Sequence, residues 1–429
     1  MQLGKIHITI IATLIILLSG TDAAYSQRLF SADECRGSAS LYPVPESVDA
    51  APDSLIPIMI NHVGRHGARF QSSSKRSITL LRALIKADSL GTITPKGRKL
   101  KALVEEVVRV TDGRWGALDS IGEAEQRGIA GRMYEQFKPV FEHGIVNAIS
   151  SYVPRCVMSM YSFCHQLSEL NPGITINTFS SRATSPILRP FTTDSAYLEY
   201  RKEEPYRKAL DIYVAQQAPV KPVERTLGGR YPITHEAAQK FALDEYSFIS
   251  SLAAVGIDVD YSEYFTLEEY NSLWRCRNLE QYYERVGNDF SDVPENIAYR
   301  LVQSFLWTAD AVVNGNSMET VQLRFGHAET MMPFLSLMQV PECYYMTAYP
   351  DRVYEHWQNF HVVPMASNFR MILFKSHTGR VYARFDFNEM PVRLIEDYPS
   401  DYVPWTIARE YLSKCISRAV AVPNYHIAI

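Results

Sequence analysis

The segment "NHVGRHGARF", Asn61 to Phe70, sets Arg65, His66 and Arg69 directly after the apolar run Leu55 to Ile60. Guanidinium groups are planar forks of donors that match the oxygens of a tetrahedral oxyanion, so arginines gathered around one point suit a phosphoryl group. A histidine among them is a candidate nucleophile, because surrounding cations disfavour the imidazolium form and leave a ring nitrogen with its lone pair free. Two other places share this shape, a short apolar run that ends in Arg or His. "NAISSYVPRC" delivers Arg155, and "VQLRFGHAE" delivers His327 and Glu329. A carboxyl such as Glu329 beside the same anion can protonate a leaving oxygen, a step typically worth about 10²- to 10⁴-fold. Taken singly, each residue has a plainer reading: a solvated basic loop, an ion-paired Arg155, a core His327, an acid at a helix start for Glu329.

These residues meet only if the elements that carry them share an edge. Leu55 to Ile60 reads as a short buried strand, and "ITINTFSS" (Ile174 to Ser181), "VQLRF" (from Val321), "FRMILFK" (from Phe369) and "VYARFDF" (from Val381) read as further strands. Ser74 is a candidate cap for a helix with Ile78, Leu81 and Ile85 on its inner face. Thr94-Pro95 opens another with Leu100, Leu103, Val104 and Val107, and a third runs from Gly122 through Phe137. After Arg155 a helix is expected with Val157, Tyr161 and Cys164 on one face. From Arg182 to about Asn296 the chain turns to charged, Tyr-rich helical pieces without strand signals, and a helix over about Ile297 to Val313 follows. Strands on both sides of such a stretch predict one α/β core, residues 27–181 and 297–429, interrupted by a helical cap, 182–296. The fold class is α/β: a central mixed, mostly parallel sheet flanked by helices. Carboxyl ends of its strands would line one rim, where ligands bind in open α/β folds.

With 429 residues, 46% of them hydrophobic, the chain can bury a large core. Its 43 Lys and Arg against 47 Asp and Glu give a net charge of −4, which argues against nucleic acid as partner. The distribution is uneven: Asn61 to Lys101 holds ten Lys or Arg and one acid, Asp88, a field that can gather a polyanion. The amino terminus has the three regions of a secretory leader over residues 1–26: Lys5, the apolar run Ile8 to Leu18, then small and polar residues. That run is too short to span a bilayer, which takes about twenty residues. Cleavage is expected before Gln27, with a competing site before Tyr25. Thr21 stands where a lipidated cysteine would be, so an exported protein, periplasmic or secreted, with no stable membrane anchor is expected. Export makes disulfides possible among Cys35, Cys156, Cys164, Cys276, Cys343 and Cys415, with buried thiols the other reading. Cys156 and Cys164 on one helix would lie about 12 Å apart, too far to bond each other.

"RHGAR" resembles the RHGxR signature of the histidine acid phosphatases, the two-domain branch of the histidine phosphatase superfamily. The resemblance runs in chain order from about Pro57 to Leu394. "ALDSIGEAEQRG" echoes a family helix motif through Leu118, Gly122 and Glu125; "YVPRCVMSMYSF" follows around Arg155; "FGHAE" and "FRMILFK" to "VYARFDFNEMPVRL" close it. Two departures stand out. Phe70-Gln71 replaces the proline of the longer signature, and the usual His-Asp pair is His327-Ala328-Glu329, a version similar to multiple inositol polyphosphate phosphatases, the phytate-degrading subgroup.

The resemblance implies that His66 is the nucleophile and forms a phosphohistidine, that Arg65, Arg69, Arg155 and His327 bind the transferred phosphoryl group, and that Glu329 protonates the leaving alcohol and then activates water. It implies no metal and no cofactor. Arg189, in "SPILRPF", is expected on the other phosphates of a polyphosphate, with Lys75, Arg76, Arg182 and Lys202 as further helpers. The substrate expected is a small polyanion, inositol hexakisphosphate and its lower phosphates. Alternatives are a broad acid phosphatase on small monoesters and, from another class, a non-catalytic polyanion-binding protein. The second is disfavoured because His66 and Glu329 are both present. A phosphomutase is disfavoured by export, and a cysteine-based phosphatase by the lack of a CxxxxxR loop after a strand.

Overall fold

In the computed structural model, which describes residues 28–47, 51–396 and 398–421, β1 (Leu55–Arg65) does not stop at Ile60 but continues to Arg65. The first cation of the opening motif is therefore still in the sheet. Between β1 and the next strand come α1 (Lys75–Ser89), α2 (Pro95–Thr111) and α3 (Ser120–Gln136). β2 (Ile145–Ser150) and β3 (Thr175–Ser180) are joined by α4 (Pro154–Leu170). The connection from β3 onward is helical, with α5 (Ser195–Glu203), α6 (His235–Ser250), α7 (Leu267–Arg285) and α8 (Tyr299–Val313) among its elements, before β4 (Val321–Gly326). Then come α9 (Ala328–Leu337), β5 (Asn368–Ser376), β6 (Val381–Phe387), the two-residue β7 (Met390–Pro391) and β8 (Val403–Pro404), and α10 (Trp405–Val420).

The strands form one mixed sheet in the order β3-β2-β4-β1-β5-β6-β7, with β8 also on β6. β3, β2, β4 and β1 run parallel; β5 and the strands beyond it are antiparallel. Register decides where the site lies. Arg65 stands opposite Gly326, and Ser150 opposite Phe325, so β1, β2 and β4 end at one level. Their next residues, His66, His327 and Ser151, leave the sheet along the same rim.

The centre of the sheet is covered on both faces, so β4 is buried along its whole length, whereas the edge strand β3 is largely exposed. On one face Ile60, Val146, Leu323, Phe325 and Ile372 pack with Ile129 and Met133 of α3 and with Met160, Phe163 and Leu167 of α4. On the other, Phe305 of α8 meets Phe334 of α9, which meets Phe369 of β5, each at a ring separation of 5.3 Å. The inner faces of two helices differ from the sequence expectation. In α1 the buried stripe is Ser77, Leu80, Leu84 and Ala87, while Ile85 is exposed. The hydroxyl of Ser77 donates to the Gln71 side chain, which turns the helix one residue from the Ile78 face. In α4 Tyr161 is exposed and Met160, Phe163 and Leu167 are inside, because Phe163 packs edge-on against Phe325 and tilted against His62. Thr94 caps α2 as expected, accepting from the Gly97 N–H, and Leu100, Val104 and Val107 are buried.

Residues from Ser31 onward form one compact unit; Arg28–Phe30 belong to a separate unit and are irregular. All six cysteines are buried and none is in a disulfide, and Cys156 and Cys164 both lie on α4. Among the described residues no helix is long and apolar enough to cross a membrane. The apolar run Ile8 to Leu18 and both expected cleavage positions lie outside them.

Candidate active site

The loop after β1 is fixed by backbone contacts at every step. The His66 N–H donates to the Gly326 carbonyl (3.0 Å) and the His66 carbonyl accepts from the Ala366 N–H (3.1 Å). Gly67 N–H donates to Ser159 Oγ of α4 (3.1 Å), and Ala68 N–H to the Glu125 carboxylate of α3 (2.7 Å). Gln126 Nε2 donates to the Arg65 carbonyl (3.0 Å). The first turn of α3 approaches so closely that a Cβ on Gly67 would sit 2.3 Å from the Gly122 carbonyl, and one on Gly122 would sit 2.2 Å from that of Ala68. Glycine at both positions is a packing requirement, and it gives "GEAEQ" a physical role: a backbone clamp on the loop that carries His66.

Two helices start at this rim, α4 shortly after β2 and α9 straight after β4, so the positive ends of both helix dipoles face it. Pro154 opens α4 and places Arg155 in its first turn; Glu329 lies in the first turn of α9. His327 is held on several sides. Ser151 Oγ lies 2.9 Å from Nε2, Arg189 Nη1 3.2 Å from the same nitrogen, and Arg155 Nη2 3.3 Å from Nδ1. Cys156 Sγ donates to the Gly326 carbonyl (3.1 Å) and packs against the ring. The His66 and His327 rings face each other edge-on at 5.7 Å. Arg189 lies 5.1 Å from the ring centroids of both Tyr152 and Phe191, an arrangement that fixes the planar guanidinium with its edge toward His327.

The protonation of His66 follows from its partner. Nδ1 lies 2.9 Å from the Gly67 carbonyl, which can only accept, so Nδ1 carries the proton and Nε2 the lone pair. Burial first, then Arg65, Arg69, Arg155 and His327, push the imidazole well below its usual range and keep it neutral. Burial, with Arg155, Arg189 and Arg69, lowers His327 to about 3 despite Glu329. Burial and neighbouring arginines lower Arg65 to about 9 and Arg69 to about 10. Burial would raise Glu329, but Arg285, His327 and Arg65 overcome it and hold the carboxyl near 2. Among the described residues, none of Arg65, Arg69, Arg155 and Arg189 is salt-bridged to a carboxylate, and each keeps a buried Nε without a hydrogen-bond partner. Four such donors around a neutral histidine form a receptacle for a tetrahedral anion.

The seven residues singled out in the sequence, Arg65, His66, Arg69, Arg155, Arg189, His327 and Glu329, thus occupy one neighbourhood. Arg189 comes closer than expected, to hydrogen-bond distance of His327. Of the helpers, Lys75 and Arg76 line a cavity of ≈ 630 Å³ that opens from Arg69. Arg182 stacks on Tyr152 at 5.4 Å, beside Arg189. Lys202 is exposed on α5. The basic segment Asn61 to Lys101 divides accordingly. Its first half reaches the site and cavity, whereas Arg98, Lys99 and Lys101 pair with Asp88, Glu263 and Glu105 on the surface. Sequence reasoning missed Ser151, although the serines at the end of β2 beside Arg155 are a usable signal. It also missed Lys240 and Arg277, which complete the wall of the cavity, and Arg285, 3.9 Å from Glu329. Those three lie on α6 and α7 with no local motif to mark them.

No family model matches the chain. The human multiple inositol polyphosphate phosphatase 1 is 24% identical over 359 residues, covering 76% of this chain and 71% of that protein. Among solved structures, the multiple inositol polyphosphate phosphatase of Bifidobacterium longum, in complex with inositol hexasulfate, is similar with a TM-score of 0.75 at 18% identity, over 88% of this chain and 97% of that one. The phytase from D. castellii is similar with a TM-score of 0.69 at 15% identity, over 92% and 86%. At these identities the likeness establishes the fold.

Proposed function

We propose that this chain, which has the histidine acid phosphatase fold, is a phosphoric monoester hydrolase that acts on inositol polyphosphates through a phosphohistidine. The observation that carries the reading is the convergence of His66, neutral with Nε2 free, and four arginines whose Nε atoms have no partner. His66 Nε2 attacks phosphorus as the ester P–O bond breaks; the arginines and His327 stabilise the equatorial oxygens, where charge concentrates. The Glu329 carboxyl gives its proton to the departing alkoxide. A water then attacks the phosphohistidine, its proton passes to the Glu329 carboxylate, and phosphate leaves with His66 neutral and Glu329 protonated again. Glu329 near 2 in the free protein is ionised at working pH, so it must gain that proton in the complex. A bound phosphate ester favours this, because its negative charge offsets the cations that hold the carboxyl down.

Inositol polyphosphates are favoured over small monoesters by what lies beside the cradle. The cavity opening from Arg69 carries Lys75, Arg76, Lys240 and Arg277, and Arg189 reaches His327 with Arg182 beside it on Tyr152. A ring with several phosphates can use both. In this reading residues 182–296 serve as a cap over the α/β core, and the leader, residues 1–26, directs export to the periplasm or medium. The test is phosphate release from inositol hexakisphosphate with a chelator present, compared with a simple phosphate monoester. Chelator-resistant release that greatly favours the inositol ester is expected. Equal rates would leave a broad acid phosphatase, and no release from either would point to a polyanion-binding protein.

A further inference from the structure

We propose that Arg285, the last residue of α7, is a positioning residue for the proton-transfer step, holding the Glu329 carboxyl at the mouth of the site from the helical segment opposite. The inference rests on Glu329 being the acid of the reaction proposed above. Arg285 Nη2 lies 3.9 Å from Glu329 Oε1, the ion pair that Glu329 makes among the described residues. That separation is beyond hydrogen-bond length, so the pair orients the carboxylate and favours its charge without occupying its lone pairs. The contact with Arg285 therefore does not block proton transfer to a leaving group, and the Glu329 side chain is 36% exposed.

Arg285 itself is well fixed. Nη1 donates to the Tyr197 hydroxyl, which in turn donates to the Glu284 carbonyl at 3.0 Å; Nη2 is 3.4 Å from the Glu284 carboxylate, and that carboxylate pairs with Arg201 of α5. A chain of contacts thus runs from α5 through the end of α7 to α9. The other charged and titratable groups that act on Glu329 come from different elements. Arg65 and Arg69 reach it from the end of β1, His327 from its own turn, Cys156 from α4, and Tyr197 from α5. Arg65 and Arg69 belong to the phosphate cradle, and binding of the transferred phosphoryl group engages them. Arg285 is the cation left to Glu329 when the cradle is filled, so the proton affinity of the acid is set from the helical side.

The experiment compares Arg285→Gln, Arg285→Lys and Glu329→Gln with the unaltered protein on inositol hexakisphosphate and on a dinitrophenyl phosphate, whose leaving group departs without a proton. Leaving-group release is followed in a single turnover, which isolates formation of the phosphohistidine, and kcat is measured against pH. Arg285→Gln should lower the inositol rate about tenfold, a fraction of a whole general-acid contribution. It should leave dinitrophenol release near the unaltered rate. Loss of a cation this close raises a carboxyl pKa, so the descending limb of kcat should move to higher pH by about one unit. Arg285→Lys keeps the charge and should hold the limb in place with much of the rate. Equal losses on both substrates, or an unmoved limb with the Gln variant, would overturn the proposal. Glu329→Gln separates the two levels. If it leaves inositol hydrolysis intact, the acid has been misassigned and the inference falls with it; if it is selectively impaired while Arg285→Gln is silent, only the role of Arg285 fails.

Discussion

Two sets of arginines lie around one sheet and are treated in opposite ways. Beyond β1, Arg370 of β5 and Arg384 of β6 share the buried Asp386, at 2.8 and 3.0 Å, and Arg132 of α3 forks onto the buried Glu389 at 2.8 and 2.6 Å. Tyr42 also donates to Glu389, at 2.8 Å. Each charge there is answered within the chain. At the ends of β1, β2 and β4, Arg65, Arg69, Arg155 and Arg189 have backbone carbonyls, an imidazole and aromatic faces as neighbours, and no carboxylate salt bridge among the described residues. Burying like charges without counterions costs stability, and such arrangements concentrate at functional sites. The first set belongs to folding, and the second waits for an anion from outside.

That contrast can be broken or sharpened by substitution. The largest effect is expected from His66→Ala, which should lower turnover of inositol hexakisphosphate by on the order of 10⁴-fold or more while phosphate still binds. Kinetics and phosphate inhibition measured on the same preparation check both parts. Next, Asp386→Asn and Arg155→Met should behave as opposites. The first strands two buried arginines and should cost about 3–5 kcal/mol in denaturant unfolding, with kcat of the folded fraction unchanged. The second removes an unanswered cation, so phosphate inhibition should weaken about 10- to 100-fold, as for one or two charge-assisted hydrogen bonds, without a lower melting temperature. A large stability loss in Arg155→Met would erase the distinction. The smallest effect is expected from pH. Burial and Arg69 lower the Arg65 guanidinium, yet such a group keeps its proton far above neutrality. Phosphate inhibition should accordingly hold steady between about pH 8 and 10. A fall of about tenfold per pH unit in that range would show that Arg65 gives up its charge when no anion is bound.

Much of the site was legible because its residues follow strands in short, dense motifs. An apolar run ending in "RHGAR" or "GHAE" states both the element and the place of the side chain, and parallel pairing with level ends does the rest. Gly122 and Glu125 were visible as a motif, but their work, with Gln126, as a clamp on the loop needed the close backbone packing and hydrogen bonds of the folded chain. Helix faces were less legible. α1 and α4 each carry apolar residues on adjacent stripes, Leu80 beside Leu81 and Met160 beside Tyr161, and a tertiary contact chose between them. Lys240, Arg277 and Arg285 were beyond reach, since charged residues on a helix look alike until the fold shows which one faces Glu329 or the cavity at Arg69.

The most direct test is to quench the protein during turnover of inositol hexakisphosphate under alkaline conditions and locate the bound phosphoryl group by peptide mass spectrometry. A phosphoryl group on His66, stable to alkali and lost in acid, is the expected result. A phosphoryl group on another residue, or rapid hydrolysis with none on the protein, would contradict the role given to His66 and to the arginines around it.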